Sequence, residues 1–316
     1  MELLCIGFDG LDHREWSRRL ADQLPGFEYV LLHSPVPVSG PAWTSIYTGL
    51  PMEQHGVTDL WGRPEAGSKT HADVSPLCVW NALYRHGKQV ALCNLPCTYP
   101  PSSVHPFHVS GFPWPDDKCY WHPERLGVPR DFKWRCEMVH WAEKHTPDGW
   151  APQLRKWNPL DVRGYVEFDM RSVIKWFAGW KTKAADLGWL VFTFPDRLLH
   201  LWPDASWIHR FNAQMVMEAI TQLEAMLQPK ATLVMSDHGW LERGQLGQFN
   251  HTEEGVLAWR GMDMPQFWGA QMPTVSHVAH ILADYFGVPL RSYAENLSEA
   301  DMSYVRERLK SLGYFD

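Results

Sequence analysis

The amino-acid sequence predicts an α/β fold with a mostly parallel central sheet, helices on both faces and an inserted cap region. Three observations support this fold class. Short apolar runs alternate with segments of helical periodicity along most of the 316 residues, as expected for parallel strands joined by crossover helices. Three of the runs end close to an aspartate, which suits a binding crevice beyond the carboxyl ends of the strands. Residues from about 94 to 160 instead show little periodicity and are rich in proline, tryptophan, histidine and glycine.

The strands are predicted from short apolar runs without polar alternation, the pattern of strands buried on both faces. In chain order they are Leu3–Phe8, Glu28–Leu32, Gln89–Cys93, Trp189–Phe194, Ala231–Met235 and Gly255–Trp259. The first run stops abruptly at the sequence Asp9-Gly10.

The helices are predicted from apolar residues at helical spacing between these strands. In chain order they are Ala42–Gly49, Leu77–His86, Ser172–Ala185, Arg210–Leu227, His277–Tyr285 and Glu299–Leu312. The first of them follows the turn Ser39-Gly40-Pro41, and proline is favoured near the start of a helix. Gly87 and Gly287 lie just after two of the others, where glycine commonly ends a helix.

The irregular middle of the chain is interpreted as a cap inserted into one core. We therefore assign residues 1–93 and 166–316 to the core and residues 94–165 to the inserted cap. Aromatic rings in this cap could stack on a base or cover an apolar alcohol, although packing within the cap explains them equally well. The candidate substrate contacts are Trp114, Tyr120, Trp121 and His122.

Composition argues against several classes of protein. The net charge of −7, from 29 basic and 36 acidic residues, is unsuited to specific nucleic-acid binding. No apolar run approaches the roughly 20 residues of a membrane span, and the N-terminal run is too short for a secretory signal, so a cytoplasmic location is expected. The six cysteines are interpreted as reduced structural thiols. The 18 tryptophans are interpreted as bulky core residues, with a base-stacking pocket as the alternative.

Acidic and imidazole side chains gather at the ends of three predicted strands. If these strands share one sheet, the carboxylates meet at one edge and repel one another unless cations neutralise them. Mixed carboxylate and imidazole ligands suit zinc or manganese better than calcium. Capping of the next helix is the alternative role for each aspartate. The residues concerned are Asp9, Asp196, His200, Asp237, His238 and His251.

Ser39 is the candidate nucleophile, because it lies on a turn leading into a short helix. The N-terminus of a helix offers free N–H groups and a positive dipole end, which suit an anionic phosphoryl group. A simple N-cap role for Ser39 is compatible with the same geometry.

These residues stand in an ordered set of motifs that resembles the alkaline phosphatase superfamily, and within it the type I phosphodiesterase/nucleotide pyrophosphatase branch. The resemblance extends over most of the chain and both of its ends. The motifs are Gly7-Phe8-Asp9-Gly10, Pro37-Val38-Ser39-Gly40-Pro41-Ala42-Trp43-Thr44-Ser45, Thr48-Gly49, His55-Gly56-Val57, Pro96-Cys97-Thr98-Tyr99-Pro100-Pro101, Val109-Ser110-Gly111-Phe112, Asp196-Arg197-x-x-His200, Asp237-His238-Gly239, His251-x-x-Glu254-Gly255, Met272-Pro273-Thr274 and Gly287-Val288-Pro289.

The resemblance implies two adjacent divalent metal ions, most often zinc, with manganese as an alternative. Carried over position by position, it assigns one metal to Asp196, His200 and His251. It assigns the other to Asp9, Asp237 and His238, with the oxygen of Ser39 as a further ligand. It further implies that Ser39 attacks phosphorus and forms a phospho-enzyme intermediate, so that the expected partner is a small phosphate ester.

The chain departs from the branch at two positions. Ser39 stands where the nucleotide pyrophosphatases carry threonine, and either hydroxyl supports the same chemistry. Leu60 stands where those enzymes place an asparagine that holds a phosphoryl oxygen. Contacts to the phosphoryl group must then come from metals, backbone N–H groups such as that of Gly40, or the cap, which puts the nucleotide substrate class in doubt.

Three alternatives to a phosphodiesterase remain. A phosphomonoesterase needs extra cationic groups, and Arg197 could supply one. A sulfatase needs Cys or Ser followed by x-Pro-x-Arg, whereas Trp43 stands at the arginine position. A catalytically silent metal-binding protein usually lacks a ligand or the nucleophile, and none is missing here. The oligomeric state and the physiological substrate are not encoded in recognisable motifs.

Overall fold

The fold is known from a computed structural model that describes residues 1–59, 68–102, 104–105, 107–111, 159–179, 181–201, 205–240, 251–265 and 272–290. Its strands are β1 (Leu3–Phe8), β2 (Glu28–His33), β3 (Val90–Leu95), β4 (Phe107–Ser110), β5 (Leu187–Phe192), β6 (Ala231–Met235), β7 (Gly239–Trp240), β8 (His251–Thr252) and β9 (Glu254–Arg260). Seven of them form one sheet in the order β2-β9-β6-β1-β5-β3-β4, while β7 and β8 form a two-stranded ribbon.

The helices are α1 (His13–Glu15), α2 (Ser39–Thr48), α3 (Met52–His55), α4 (His71–Val74), α5 (Val79–Arg85), α6 (Pro159–Gly179), α7 (Phe194–Leu201), α8 (Ser206–Leu227) and α9 (His277–Tyr285). None of the helices in the described part of the chain is long and apolar enough to cross a membrane.

The sheet is mostly parallel, as the sequence predicts. Strands β6, β1, β5, β3 and β4 run parallel, whereas β9 is antiparallel to both of its neighbours, β6 and β2. Along β1 the side chains alternate between two hydrophobic layers. Leu4, Ile6 and Phe8 pack in the layer that includes residues of α6 and α8, and Leu3 and Cys5 pack in the layer that includes residues of α2, α5 and α9. This burial on both faces explains why β1 lacks polar alternation.

Several predicted boundaries need correction. Helix α2 begins three residues earlier than predicted, so Ser39 is its first residue. Strand β5 ends at Phe192 and Phe194 already begins α7, because the apolar run spans a strand, a turn and the first helical turn. Helix α6 begins well before the predicted Ser172 and ends at Gly179.

The middle of the chain contributes more to the core than the predicted boundary at residue 94 allows. Strand β4 pairs in parallel with β3 at the edge of the central sheet, and its four residues are buried. Four residues are too few to give a period, which is why the sequence pattern misses this strand. Residues 112–158 of the predicted cap and the predicted helix Glu299–Leu312 lie outside the described residues.

Candidate metal centre

The structure brings the predicted nucleophile and all six predicted metal ligands to one edge of the central sheet. Asp9 directly follows β1, whereas Asp237 and His238 follow β6, the next strand in the sheet. Asp196 and His200 lie one turn apart on α7, and His251 begins β8. Two groups of ligand atoms result, each with its atoms within 4.8 Å of one another: Asp196, His200 and His251 in the first group, and Asp9, Asp237 and His238 in the second group.

The first group is held together around the Asp196 carboxylate. Its Oδ1 lies 3.2 Å from Nε2 of His251, and its Oδ2 lies 3.5 Å from Nε2 of His200. Nδ1 of His251 donates a 2.8 Å hydrogen bond to the Pro37 carbonyl, which turns Nε2 towards the group. Despite burial, the hydrogen bond from His251 and the nearby histidine charges hold the pKa of Asp196 well below its usual range.

The second group is almost fully buried. Asp9 is 4% exposed, and Asp237 and His238 are inaccessible to solvent. Nε2 of His238 lies 3.3 Å from Oδ1 of Asp9 and 3.4 Å from Oδ2 of Asp237. Nδ1 of His238 donates to the carbonyl of Gly239 at 3.2 Å, so that Nε2 again faces the carboxylates. The rings of His238 and His251 stack with centroids 3.7 Å apart and join the two groups.

The electrostatics of the second group fit a bound cation. Burial, and then the charge of Asp9, raise the pKa of Asp237 well above its usual range. Burial disfavours the charged form of His238, yet the Asp237 and Asp9 carboxylates raise the pKa of this imidazole to about 10. Oδ1 of Asp237 accepts from the Gly10 backbone, whereas its Oδ2 is buried and accepts no hydrogen bond within the described structure. A buried carboxylate oxygen without a donor, beside a second carboxylate and an imidazole, is a donor set for a divalent metal.

Ser39 faces the second group from the first turn of α2. Its Oγ lies 3.3 Å from Oδ1 of Asp9 and 3.4 Å from Nε2 of His238. No side chain caps this helix end, where Val38 occupies the cap position, so first-turn N–H groups remain available to an anion. This arrangement favours the nucleophile interpretation of Ser39 over the N-cap interpretation.

Histidine 55 of the His-Gly-Val motif supports the helix that carries Ser39. Its Nδ1 accepts from the Val57 backbone N–H at 3.0 Å, and Nε2 then carries the proton and donates to Ser45 Oγ at 3.1 Å. Burial lowers the pKa of His55 to about 4, which keeps the ring neutral for this bridge. The motif therefore fixes α2 rather than contacting the metal centre itself.

Two of the predicted substrate contacts lie within the described part of the chain. Gly40 lies next to Ser39 in the first turn of α2, and Arg197 follows Asp196 on α7. The remaining candidates lie outside the described residues; they are Leu60, Trp114, Tyr120, Trp121 and His122.

Three residues around the site were not predicted from the sequence. Asp12, 3% exposed, accepts from the side chain of Arg14 at 2.9 and 2.8 Å and from the Trp240 backbone at 3.1 Å. The indole N–H of Trp43 donates to Asp9, and that of Trp240 donates to Asp196, each at 3.1 Å. Trp43 lies within one predicted motif and Trp240 directly follows another, but no sequence period distinguishes them from the other tryptophans.

Comparison with known proteins identifies the family. The family model described as type I phosphodiesterase / nucleotide pyrophosphatase matches residues 3–299. No curated protein matches the chain.

The chain is similar to several solved structures. The alignment with a candidate sulfatase from Bacteroides fragilis has a TM-score of 0.50 at 12% identity and covers 95% of this chain and 76% of the sulfatase chain. The alignment with phosphonoacetate hydrolase from Sinorhizobium meliloti has a TM-score of 0.46 at 18% identity and covers 76% of this chain and 56% of the hydrolase. The alignment with human ectonucleotide pyrophosphatase/phosphodiesterase 5 has a TM-score of 0.44 at 17% identity and covers 76% of this chain and 57% of the human protein. The chain thus spans less than two thirds of the length of the last two proteins.

Proposed function

The chain belongs to the type I phosphodiesterase/nucleotide pyrophosphatase family of the alkaline phosphatase superfamily, and from this premise we propose that it cleaves phosphate diesters or pyrophosphates through a covalent intermediate on Ser39. Family membership makes the protein a phosphate-ester hydrolase. The observation that carries the finer proposal is the approach of Ser39 Oγ to within 3.3 Å of Asp9 and 3.4 Å of His238, beside two groups of metal-ligand atoms.

Two divalent metal ions fit the two ligand groups, with zinc preferred over manganese because three of the six ligands are imidazoles. Asp196, His200 and His251 would hold one ion, and Asp9, Asp237 and His238 would hold the other beside Ser39. When bound, such ions lower the pKa of a neighbouring hydroxyl and stabilise the charge of an in-line displacement at phosphorus.

The residues of the chain account for the covalent step. Oγ of Ser39 forms a bond to phosphorus while the bond from phosphorus to the leaving oxygen breaks, and the leaving alkoxide or phosphate departs and takes a proton from solvent. The hydroxyl proton passes to solvent, because a metal ion held beside Ser39 would lower the pKa of this hydroxyl. In the second step water attacks the same phosphorus, the bond to Oγ breaks, and the proton of that water restores the Ser39 hydroxyl.

The test of this function is hydrolysis of paired chromogenic esters. Protein stripped with chelator is reconstituted with zinc or manganese and assayed with bis(p-nitrophenyl) phosphate and p-nitrophenyl phosphate. We expect the diester to be cleaved faster, activity to require metal, and Ser39→Ala to abolish turnover while leaving metal binding largely intact.

Other outcomes would redirect or overturn the proposal. Preference for the monoester would make the protein a phosphomonoesterase and would point to Arg197 as a candidate contact of the additional charge. Turnover by Ser39→Ala at the wild-type rate would rule out the covalent route. Two bound metals without activity on either ester would contradict hydrolysis of simple esters and favour a site that binds without turnover.

A further inference from the structure

Two tryptophans each donate an indole N–H to one carboxylate of the candidate metal centre. Nε1 of Trp43 donates to Oδ2 of Asp9, and Nε1 of Trp240 donates to Oδ1 of Asp196, both at 3.1 Å. Asp9 and Asp196 belong to different ligand groups. Each group therefore has one tryptophan donor of its own.

The packing around both indoles fixes their orientation. Trp43 is inaccessible to solvent and stacks on Tyr47 with ring centroids 5.9 Å apart. Trp240 is 3% exposed and meets the rings of His200 and His251 edge to face, with centroids 4.8 and 5.1 Å apart. Trp240 thus touches all three ligands of the first group.

The glycines of the Gly7-Phe8-Asp9-Gly10 motif leave the space that the indoles occupy. A Cβ on Gly7 would lie 2.6 Å from Cη2 of Trp43, and a Cβ on Gly10 would lie 2.7 Å from Nε1 of Trp240. Both distances are too short for a side chain, and Gly10 also has a positive φ of 72°. The glycines that flank Asp9 thus leave room for both tryptophans.

Some buried tryptophans of this protein do not form a hydrogen bond through the indole N–H. The indole nitrogens of Trp16, Trp80 and Trp189 are buried without a hydrogen-bond partner in the described structure. These three residues fit the core-filler interpretation, whereas Trp43 and Trp240 do not.

We propose that Trp43 and Trp240 are positioning residues, each orienting the carboxylate of one metal site. The proposal rests on the proposed function, because it assumes that both ligand groups bind metal. An indole N–H that holds one carboxylate oxygen fixes the plane of the carboxylate and so pre-orients it for metal. Loss of such an outer hydrogen bond typically weakens metal affinity by about 10- to 100-fold.

The test is a competitive zinc titration of metal-free protein against a chelating dye. The wild-type protein should bind two ions. Trp43→Phe and Trp240→Phe keep an aromatic ring but remove the N–H, and each should weaken one site by about 10- to 100-fold while the other site keeps its affinity. The double variant should weaken both sites.

Trp80→Phe and Trp189→Phe are matched controls, because they remove the same atoms from buried indoles that make no hydrogen bond. Both controls should leave both zinc affinities unchanged. If a phenylalanine variant does not fold, incorporation of β-(3-benzothienyl)alanine at the same position keeps the ring shape and replaces the N–H with sulfur.

The outcomes separate this inference from the function on which it rests. Unchanged zinc affinities in folded Trp43 and Trp240 variants would overturn the positioning role while leaving the hydrolase proposal intact. Equal losses in the control variants would show a packing effect and would also overturn it. Failure of the wild-type protein to bind two ions would instead contradict the proposed metal centre.

Discussion

At the scale of single residues, the site depends on which atom each side chain turns towards the centre. His238 and His251 both give their Nδ1 proton to a backbone carbonyl, at Gly239 and Pro37, and both therefore present Nε2 to the ligand groups. These bonds orient both rings before any metal binds. Ser39 needs no such partner, because the first turn of α2 already directs its oxygen towards Asp9 and His238.

The hydroxyl of Ser39 is expected to be the essential chemical group. Ser39→Ala should lower kcat by at least about a thousandfold, because the nucleophile is lost. Ser39→Thr should retain measurable turnover, because threonine supplies a hydroxyl at the same position. Steady-state kinetics on bis(p-nitrophenyl) phosphate provide the measurement. Comparable losses in the two variants would contradict a role that depends on the hydroxyl.

Asp12 is expected to stabilise the fold without binding metal. Its carboxylate bonds the Arg14 side chain and the Trp240 backbone, and it is buried. Asp12→Ala should therefore lower the free energy of unfolding by about 2 kcal/mol, since the Trp240 backbone N–H and the half-exposed Arg14 side chain lose their acceptor. Urea unfolding measures the change, with Asp22→Ala, an exposed carboxylate, as the control expected to stay within about 0.5 kcal/mol. Equal effects would argue against the buried network.

At the scale of secondary-structure elements, the N-terminal turns of helices carry several of the candidate site residues. Helix α2 presents Ser39 in its first turn, and α7 presents Asp196 in its first turn and His200 one turn later. The ribbon of β7 and β8 carries Trp240 and His251 on paired positions. These three elements meet at the carboxyl ends of β1, β5 and β6, where crevices form in open α/β sheets.

Glycines at a helix end and in a helix interior should respond oppositely to alanine. Gly49 ends α2 with a φ of 73°, and a Cβ there would lie 2.9 Å from Nε2 of His280. Gly49→Ala should cost about 1–2 kcal/mol, the strain of a left-handed conformation. Gly164, inside α6, has open space around its Cβ position, so Gly164→Ala should add about 0.5–1 kcal/mol. Thermal unfolding measures both, and shifts of the same sign would contradict this account.

The elements that the sequence predicts well are those with a strong local pattern. Strands β1 and β6 and helix α9 have the predicted bounds, because apolar runs or periodic faces define them. Strand β4 and helix α7 were missed. The first is too short to show a period, and the second continues an apolar run that begins in β5. The apolar pattern records burial, which a strand and the helix after it share.

In the candidate site too, some residues are predicted from the sequence and others are not. Ligand types at the ends of β1 and β6 predict which carboxylates converge, and the structure brings them together. The donors behind these ligands are different, because Trp43 and Trp240 look like any other tryptophan in one sequence. Their role depends on where the fold places a ring nitrogen, which tertiary packing alone determines.

At the scale of the whole molecule, the sheet separates two hydrophobic layers and brings negative charge to one edge. Three carboxylates meet there, at Asp9, Asp196 and Asp237, in a chain with a net charge of −7. Cation binding should therefore stabilise the folded state as well as support catalysis, because metals that bind the folded form raise its stability by mass action.

Acid should destabilise the metal-free protein through buried neutral histidines. Burial lowers the pKa of His71 and of His105 to about 4. Between about pH 6.5 and 4 the unfolded chain binds protons that the folded chain does not, so stability present above pH 6.5 is lost as the pH falls. Each histidine should cost about 2 kcal/mol of unfolding free energy between pH 7 and pH 5.

Urea unfolding across this pH range measures the effect. His71→Gln and His105→Gln should each flatten the dependence, whereas His86→Gln, at an exposed position, should leave it unchanged. A stability that does not change between pH 7 and pH 5 would contradict neutral burial of the two histidines.

The most direct test of the account is the stereochemical course of hydrolysis at phosphorus. A phosphorothioate diester of known configuration would be cleaved by the zinc-loaded protein in isotopically labelled water, and the configuration of the product determined. Attack by Ser39 followed by attack of water inverts phosphorus twice, so net retention is expected. Net inversion would mean that water attacks the substrate directly and would contradict the covalent role of Ser39.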